Sequence, residues 1–473
     1  MKLVYDVKDT PRNSSMKRSQ MLVFALQQLL AIMAATIAVP NIVKNGLTPS
    51  AALVGAGVGT LIYLLFTRFR SPVFLGSSFA FIGSMFSAFA GGISMQLGFL
   101  GLIIGAGFAG LVYVIIALIV KFAGVAWIDK LMPPVVIGPT VAIIGLSLAP
   151  NAISDLTGGA AFDSATSSFL MTPHIAVCIF CGLVTLAVTM LCSVFGKKMV
   201  KLIPFILGIL AGYAVAAIFT IIGTVAQIED LIVINFQPFT EAFSTLSVGS
   251  FFSVPSLTFM EAVKGIGELN GAYVATIAVA YIPVAFVVFA EHLADHKNLS
   301  AIISRDLTKD PGLSRTLLGD GIGSFAGALF GGCPNTTYGE SIGCVAITKN
   351  ASVCTIFTTA LLSILVAFVT PFVCFLETIP NCVMGGVCIA LYGFIAVSGL
   401  KMLQSVNLDK NRNLFTASVI LIAGIGNFAL TFGKVTLRTV AVALILGILT
   451  NLLVGKKHNQ EEKTTEVENQ IIK

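Results

Sequence analysis

Long apolar runs dominate this chain, and short polar or basic stretches separate them. A helix needs about 20 apolar residues to cross a membrane, and most of these runs are close to that length. The predicted segments lie near residues 20–44, 51–67, 74–90, 97–121, 128–149, 174–195, 203–225, 273–295, 314–331, 336–349, 353–376, 380–398, 413–431 and 437–454. Two of them, 74–90 and 336–349, are short or interrupted. The pattern therefore predicts an all-α polytopic membrane protein with about fourteen segments.

The basic residues are expected on one side of these segments. If the amino terminus is cytoplasmic, the even-numbered crossings return to basic clusters such as 197–201, 297–315 and 401–412. The largest interval without Lys or Arg, 131–196, contains the predicted external loop 150–173. Cytoplasmic loops carry an excess of Lys and Arg, so this pattern predicts a multi-pass protein of the cell membrane with both termini in the cytoplasm.

Composition supports a membrane protein and excludes several other classes. Of the 473 residues, 56% are hydrophobic and 11% are charged, whereas a soluble domain is usually about 25% charged. The net charge of +6 is explained by the basic loops and does not indicate nucleic-acid binding. Cys178-x-x-Cys181 lies within a predicted span, where small apolar packing is the favoured interpretation. We expect no metal, no cofactor and no enzymatic activity, because no Walker motif and no HExxH motif is present.

The stretch from Cys333 to Gly343 is not typical of a continuous membrane helix. Pro334 and Gly339 break helices, and the residues between them favour an extended backbone. Glu340 then begins a short apolar segment. A carboxylate at membrane depth costs about 2.5–3.5 kcal/mol, and non-helical backbone is tolerated there only inside protein or along a cavity. The stretch therefore predicts a ligand site at the bilayer midplane, with a solvated surface loop as the alternative.

An odd number of segments in each half predicts an inverted repeat. Seven spans followed by seven place the second half upside down, and the third segment of each half is the unusual one. It reads LGSSFAF at 75–81 and PNTTYGE at 334–340. Short broken segments at matching positions indicate a transporter binding site, where two extended pieces can pair. The alternative is that Gly76, Ser77 and Ser78 are ordinary small packing residues.

Two acidic residues end the eighth predicted span. Glu291 and Asp295 are four residues apart and share one helix face. Two carboxylates on one face in a low dielectric do not both ionise readily, which suits proton uptake near neutral pH. We expect Glu291 to be functional because only apolar residues precede it in the span. Asp295 is either functional or interfacial, since Lys297 follows it.

Other polar candidates lie in the first, eighth and ninth predicted spans. A Gln in the first span, Gln27 or Gln28, forms a helix–helix hydrogen bond or reaches the ligand. His292 lies on a different helix face from Glu291. His296 is expected near the solvated cytoplasmic end, and Asp320 is expected at the interface rather than at membrane depth.

These residues resemble the nucleobase–ascorbate transporter family, most strongly its bacterial uracil-transporting branch. The most specific matches are PNTTYGESIGCVAITK (334–349), AEHLADH (290–296), LGSSFAF (75–81), LQQLLAIMAAT (26–36) and TKDPGL (308–313). Three positions depart from the family pattern: Ser341 replaces the usual Asn, Gln28 replaces the His of the Gln-His pair typical of the first span, and Asp295 replaces the His of some relatives. The departures concern proton coupling rather than the fold.

The resemblance implies a homodimer in which each chain has a core and a gate domain. It also implies an antiparallel strand pair made by segments three and ten. The core is expected to comprise residues 20–122 and, together with an external loop, 227–376. The gate is expected to comprise residues 123–226 and 377–455. Cytoplasmic tails are expected at 1–19 and 456–473.

The resemblance further implies uracil import by proton symport. The implied substrate-binding residues are Phe79, Glu291, Gly339, Glu340, Ser78, Tyr338 and Ala35, and the proton-coupling residues are Glu291, Asp295 and Gln28. The alternatives are a purine symporter for xanthine or urate, and an anion transporter of the same architecture. Fixed carboxylates at the site disfavour the anion transporter, because they repel anions.

Overall fold

The structure is a computed structural model that describes residues 3–163, 166, 168–432 and 435–454. It is mostly helical, as the apolar pattern predicted, and the confirmed class is a multi-pass, α-helical membrane protein. The predicted tail 456–473 lies outside the described residues.

The amino-terminal half of the chain runs from α1 to α10. Its elements are α1 (Arg18–Val43), α2 (Pro49–Phe66), β1 (Leu75–Ser77), α3 (Ile82–Ala88), α4 (Met95–Ala123), α5 (Ala126–Leu131), α6 (Pro134–Ser147), α7 (Ala149–Leu156), β2 (Phe162–Asp163), β3 (Ser168–Phe169), α8 (Pro173–Phe195), α9 (Met199–Leu202) and α10 (Pro204–Ala226).

The carboxyl-terminal half continues to the end of the described chain. Its elements are α11 (Gln237–Ala242), α12 (Thr258–Ala262), α13 (Gly271–Ile303), α14 (Leu313–Gly331), β4 (Asn335–Thr337), α15 (Gly339–Thr348), α16 (Val353–Val366), α17 (Thr370–Glu377), α18 (Asn381–Leu403), α19 (Asn411–Ile425), β5 (Leu430–Phe432), β6 (Val435–Leu437) and α20 (Thr439–Val454).

The apolar runs of the sequence correspond to helices, and the bounds of several runs differ from those of the helices. Within the described chain, 8 helical segments are long and apolar enough to cross a membrane, and α6 and α7 together form one of them. The predicted span 353–376 contains two shorter helices, α16 and α17. Helix α13 continues eight residues beyond the predicted end at 295, because Asp295 and His296 find partners inside the protein.

The two interrupted segments meet as an antiparallel strand pair. Strand β1 pairs with β4 in the register Leu75↔Thr337, Gly76↔Thr336 and Ser77↔Asn335. Every residue of both strands is buried, so their backbone polar groups require the partners that pairing supplies. Each strand leads into a short helix, α3 or α15. The pair therefore interrupts two membrane segments in the protein interior.

Side chains from α2 hold the pair in place. The Thr60 hydroxyl exchanges hydrogen bonds with the backbone of Leu75, at 2.9 Å to the nitrogen and 3.2 Å to the oxygen. The Asn335 amide donates to the Gly55 carbonyl at 3.0 Å. Small residues bring the helices this close, since a Cβ on Gly59 would collide with the Asn335 side chain. The strands are thus fixed to a tightly packed helix pair.

The longer helices pack as two groups. In the first group, α14 packs against α2 and α4, α13 packs against α4, and α16 packs against α1 and α2. In the second group, α18 packs against α6, α7 and α8, α8 packs against α10, and α19 packs against α6. Smaller contacts join the groups, among them α1 with α10 and α13 with α6. The strand pair belongs to the first group.

The polar amino-terminal stretch is ordered rather than loose. Ala351 donates its backbone N–H to the Tyr5 carbonyl at 2.9 Å, and Val353 donates to the Val7 carbonyl at 3.1 Å. Tyr5, Val7 and Met16 are buried. The predicted tail 1–19 therefore packs, from residue 3 onward, on the connection between α15 and α16.

Candidate binding cavity

A cavity of about 360 Å³ lies between the two helix groups, at the carboxyl end of β4. This volume falls within the roughly 300–1,000 Å³ of small-molecule sites. The polar and aromatic residues that define it are Phe79, Glu291, Asp295, Thr336, Thr337, Tyr338, Gly339 and Glu340. Six of these are among the predicted site residues, and they come from the turn after β1, from α13, from the junction of β4 with α15 and from the start of α15.

The acidic residues of α13 face this cavity together. Glu291 and Asp295 both line it, one helical turn apart. The Thr337 hydroxyl donates a hydrogen bond to Asp295 Oδ2 at 2.6 Å. This contact joins strand β4 to helix α13. Asp295 therefore lies in the protein interior and not at the interface, which was one of the two interpretations of the sequence.

The end of β4 presents its backbone and a carboxylate to the cavity. The Tyr338 hydroxyl donates to the Ser77 carbonyl at 2.8 Å, which ties the end of β4 back to β1. Gly339 is exposed to the cavity, and an added Cβ there would meet no atom within 4 Å. Glu340 lies in the first turn of α15, where the helix dipole favours a negative charge. The strand end thus offers backbone groups and a carboxylate side by side.

An aromatic contact joins the two helix groups at the cavity. The rings of Phe79 and Tyr392 are edge-on, with centroids 5.8 Å apart. Phe79 belongs to the turn after β1, and Tyr392 belongs to α18 of the second group. A flat ligand in the cavity would therefore meet an aromatic wall beside the carboxylates.

Three predicted site residues lie behind the cavity wall. Gln28 donates from Nε2 to Ser341 Oγ at 2.5 Å, so it makes one of the two kinds of contact considered for it, a helix–helix hydrogen bond to α15. The backbone N–H of Ser78 donates to the Pro334 carbonyl at 2.9 Å. Ala35 is buried within α1. The residues lining the cavity do not include these three, so any effect on the ligand acts through the residues that do.

Two expectations about buried polar residues are wrong. Asp320 was expected at the interface, but it is 1% exposed and its Oδ2 is 2.7 Å from His292 Nδ1. His296 was expected in solvent, but it is fully buried, and its Nε2 is 2.7 Å from the Tyr63 hydroxyl. The small residues of α14, including Gly319 and Gly321, let neighbouring helices approach and cover the carboxylate.

The cavity is strongly acidic. Three carboxylates, those of Glu291, Asp295 and Glu340, line it, and Lys201 is the one basic residue among the lining residues. Three carboxylates in a partly buried space cannot all be ionised at low cost, because like charges repel and water is largely excluded. The arrangement can therefore hold exchangeable protons and can accept hydrogen bonds from the N–H groups of a ligand.

The cavity extends toward one end of the molecule and is closed at the other. Its lining continues to Lys201 and Met402, near the ends of α9 and α18. At the opposite end, Arg438 Nε donates to Ser87 Oγ at 2.9 Å. Ser87 lies on α3, which packs against α4 and α13 of the first group, and Arg438 immediately precedes α20, which packs against α19 of the second group at Gly447, so this contact joins the two helix groups. An ion pair between Lys44 and Asp155, at 4.0 Å, joins α1 to α7 on the same side.

A second cavity of about 510 Å³ lies at the closed end, where Arg438, Ser87 and Tyr273 line it. Tyr273 is eighteen residues before Glu291 on α13, a separation of ~27 Å at 1.5 Å per residue. The two cavities are therefore far apart along the same helix.

Sequence reasoning did not identify several of these contacts. The Thr337–Asp295, His292–Asp320 and Arg438–Ser87 pairs join residues far apart in the chain. One signal was available for Asp320, because a lone carboxylate between Gly319 and Gly321 suggests a closely packed helix face. The other pairs depend on tertiary contacts that no local pattern encodes.

A cavity at a break in two membrane segments, lined by acidic and aromatic residues, is typical of a membrane transporter. The permease family model Xan_ur_permease matches residues 19–432. The chain belongs to this family, which agrees with the resemblance to nucleobase–ascorbate transporters. It is a transporter and not an enzyme.

Individual relatives match over nearly their whole length. The uracil permease of Bacillus caldolyticus is 38% identical over 473 residues, which are 99% of this chain and 98% of that protein. The uracil permease of Bacillus subtilis (strain 168) is 36% identical over 448 residues, which are 94% of this chain and 94% of that protein. Among solved structures, the transmembrane domain of the cyanobacterial bicarbonate transporter BicA has a similar fold, with a TM-score of 0.63 and 16% identity over 93% of this chain and 99% of that chain.

Proposed function

We propose that this protein is a secondary active transporter that imports uracil across the cytoplasmic membrane together with protons. The observation that carries the proposal is the cavity at the end of β4, where Glu291 and Glu340 both line a small, partly apolar space. The relatives named uracil permeases add support, because they match nearly the whole chain.

Uracil fits the chemistry of this cavity. It is a flat, neutral ring whose edge alternates N–H donors and carbonyl acceptors. In the proposal, the carboxylates of Glu291 and Glu340 accept from the ring N–H groups, and the backbone near Phe79 and Gly339 donates to the carbonyl groups. The Phe79 ring and Tyr338 form the walls of the site. Ser78 and Ala35 support the site from behind, since neither lines the cavity.

Proton coupling follows from the acidic lining. A neutral solute gains nothing from the membrane potential, whereas one proton carried with it gains about 2.3 kcal/mol per 100 mV, enough for more than tenfold accumulation. We assign the exchange of this proton to Glu291 and Asp295. Gln28 acts indirectly, through its hydrogen bond to Ser341 in the first turn of α15.

The proposed architecture is a seven-plus-seven inverted repeat with cytoplasmic termini. Eight long segments, three shorter apolar helices, α14 and the two strand-containing segments together account for fourteen crossings. The core comprises 20–122 and 227–376, and the gate comprises 123–226 and 377–455. The separate packing of the two helix groups supports this division. We propose that the protein works as a homodimer in the cell membrane.

In this orientation the cavity opens to the cytoplasm. Lys201 and Met402 lie at its cytoplasmic mouth, and the Arg438–Ser87 contact closes the external side. Rocking of the core against the gate would break the external contacts and expose the carboxylates to the outside. The conformation is therefore inward-facing, ready to release substrate and proton.

A purine symporter for xanthine or urate is the second candidate within the same class. The volume of the cavity and the pattern of hydrogen-bond donors and acceptors on the ligand's edge distinguish a uracil symporter from a purine symporter. An anion transporter is disfavoured although the fold resembles that of BicA, because three carboxylates against one lysine repel an anion.

Uptake of labelled uracil into cells that lack their own permease tests the proposal. We expect saturable uptake that a protonophore abolishes, and competition by unlabelled uracil but not by xanthine or urate. Competition by the purines instead of uracil would favour the second candidate. Uptake that persists when a protonophore is present and a sodium gradient is imposed would contradict proton symport.

A further inference from the structure

A single hydroxyl distinguishes the two carboxylates of α13. Thr337 Oγ1 donates to Asp295 Oδ2 at 2.6 Å, and within the described residues of the chain it is the one side chain that donates a hydrogen bond to either Asp295 or Glu291. Thr337 is fully buried at the end of β4. Its backbone is fixed by pairing with Leu75, so the hydroxyl is held in place on a rigid element.

We infer that Thr337 is a positioning residue that keeps Asp295 as the ionised member of the carboxylate pair and so directs the transported proton to Glu291. The inference rests on the proposed function, which it deepens by assigning unequal roles to the two acids. Nothing in the sequence pattern distinguishes them in this way, because both lie on the same face of α13.

The physical reason is the direction of the hydrogen bond. A hydroxyl that donates to a carboxylate stabilises its charged form. When two nearby carboxylates share a low-dielectric space, one proton is easily accommodated, and it goes to the member whose charge is less well stabilised. With Thr337 donating to Asp295, that member is Glu291. The proton then lies on the carboxyl group proposed to contact the substrate.

Other titratable groups surround this pair and do not remove the asymmetry. They are His292 and His296 on the same helix, Glu340 of α15, Asp320 of α14, Tyr63 of α2, Tyr113 of α4, Tyr338 at the end of β4, and Lys201 across the cavity. His292 and His296 engage Asp320 and Tyr63 on another face of α13. They therefore offer no donor to Asp295.

The contact also connects the proton site to the substrate site. Tyr338, Gly339 and Glu340 follow Thr337 directly in the chain. Because Asp295 stays ionised, its hydrogen bond with Thr337 keeps the end of β4 attached to α13 while Glu291 takes up and releases the proton. The residues proposed to contact the substrate are thereby held beside the proton site.

The test compares the pH dependence of the initial uracil uptake rate in Thr337→Val and in the parent protein. Valine keeps the shape and the strand preference of threonine but lacks the donor. We expect the alkaline limb of the uptake profile to move to higher pH by about one unit, the size expected for one hydrogen bond to a charged group. The KM for uracil at acidic pH should change less than threefold.

Three further variants make the result specific. Thr337→Ser restores the donor and should restore the parent profile. Thr189→Val removes a buried hydroxyl of α8 that donates to the Thr185 carbonyl of the same helix and does not line the cavity, and it should leave the profile unchanged. In an Asp295→Asn background, adding Thr337→Val should produce no further shift. If the valine variant does not accumulate in the membrane, Thr337→Ala is used in its place.

The outcomes separate this inference from the proposed function. If the parent protein shows no proton-dependent uracil uptake, the proposed function fails. If the parent shows it and the Thr337→Val profile coincides with the parent profile, the inference alone is overturned. A Thr337→Ser variant that shifts like the valine variant would also overturn it, because the hydroxyl would then not be the cause.

Discussion

At the scale of single residues, the structure separates two sets of buried polar groups. One set, Glu291, Asp295 and Glu340, faces the cavity. The other, His292 with Asp320, is buried between helices, and its members bond each other. The difference matters because polar side chains that bond each other between helices fix a packing arrangement, whereas carboxylates at a cavity remain available to a ligand.

Replacing Glu340 with Gln tests the cavity set. The change keeps the size of the side chain but removes the carboxylate, so we expect the uracil uptake rate at low substrate concentration to fall at least tenfold, as for loss of a hydrogen bond to a charged group. Glu377→Gln provides a matched control, since Glu377 lies at the end of α17 and does not line the cavity. Equal uptake by Glu340→Gln and the parent would remove Glu340 from the site.

Asp310, outside the membrane segments, gives a pH-dependent prediction. Hydrogen bonds from Arg70 and Arg305 lower the pKa of its carboxyl group to about 2. A lowered pKa means that the stabilisation is present above the unfolded value of about 3.9 and is lost as pH falls toward 2. Asp310→Asn should therefore lower the melting temperature slightly at pH 7, and the difference from the parent should shrink between pH 4 and pH 2. Thermal unfolding of the purified protein measures this, and a difference that stays constant with pH would contradict it.

The sequence pattern distinguished Glu291 and Glu340, which line the cavity, but it misplaced Asp320 and His296. Glu340 follows helix-breaking residues and Glu291 follows a wholly apolar run, so each stands out locally. Asp320 and His296 looked peripheral because their positions were judged along one helix. Their burial depends on α2, α4 and α14 packing closely at glycines, which is a tertiary property.

At the scale of elements, the close packing at the pairing of β1 with β4 depends on one glycine. A Cβ on Gly76 would collide with the ring of Tyr338, whose hydroxyl bonds the Ser77 carbonyl. The breaks in both segments could be predicted from Pro334, Gly339 and the small residues around Gly76. The register of the strand pair could not be predicted from the sequence, because it is set by contacts with α2 and α14.

We predict that Gly76→Ala displaces the Tyr338 ring and weakens the site. The melting temperature should fall by several degrees, and the uracil affinity of the purified protein should fall at least fivefold, as expected for overpacking that costs about 1–3 kcal/mol. Gly83→Ala is the control, since a Cβ there meets its nearest atom only at 3.9 Å. If Gly76→Ala and Gly83→Ala behave alike in both assays, the close contact is not important.

At the scale of the whole molecule, the two helix groups meet differently at their two ends. The cavity separates them near Lys201, while Arg438–Ser87 and Lys44–Asp155 join them at the other end. The apolar pattern of the sequence defines the individual helices but does not specify which groups they form. The repeat and the domain division came from charge, from broken segments and from family resemblance, and they remain proposals.

Removing the Arg438 contact should favour the outward-facing conformation. In Arg438→Ala, a cysteine introduced at Ile93, which lines the second cavity, should react at least twice as fast with a membrane-impermeant maleimide added outside. Labelling is taken as the difference from the same protein without the introduced cysteine. Arg412→Ala removes an arginine contact within one helix group and should not alter the rate. An unchanged rate in Arg438→Ala would mean that this contact does not keep the external side closed.

The most direct test of the account is proton movement driven by uracil alone. Purified protein is reconstituted in liposomes that contain a pH-sensitive dye, with the membrane potential clamped by potassium and valinomycin. Adding uracil outside should acidify the interior for the parent protein and not for Glu291→Gln, because substrate and proton enter together through the same acidic cavity. If labelled uracil enters the liposomes while the internal pH does not change, the central claim of proton symport is contradicted.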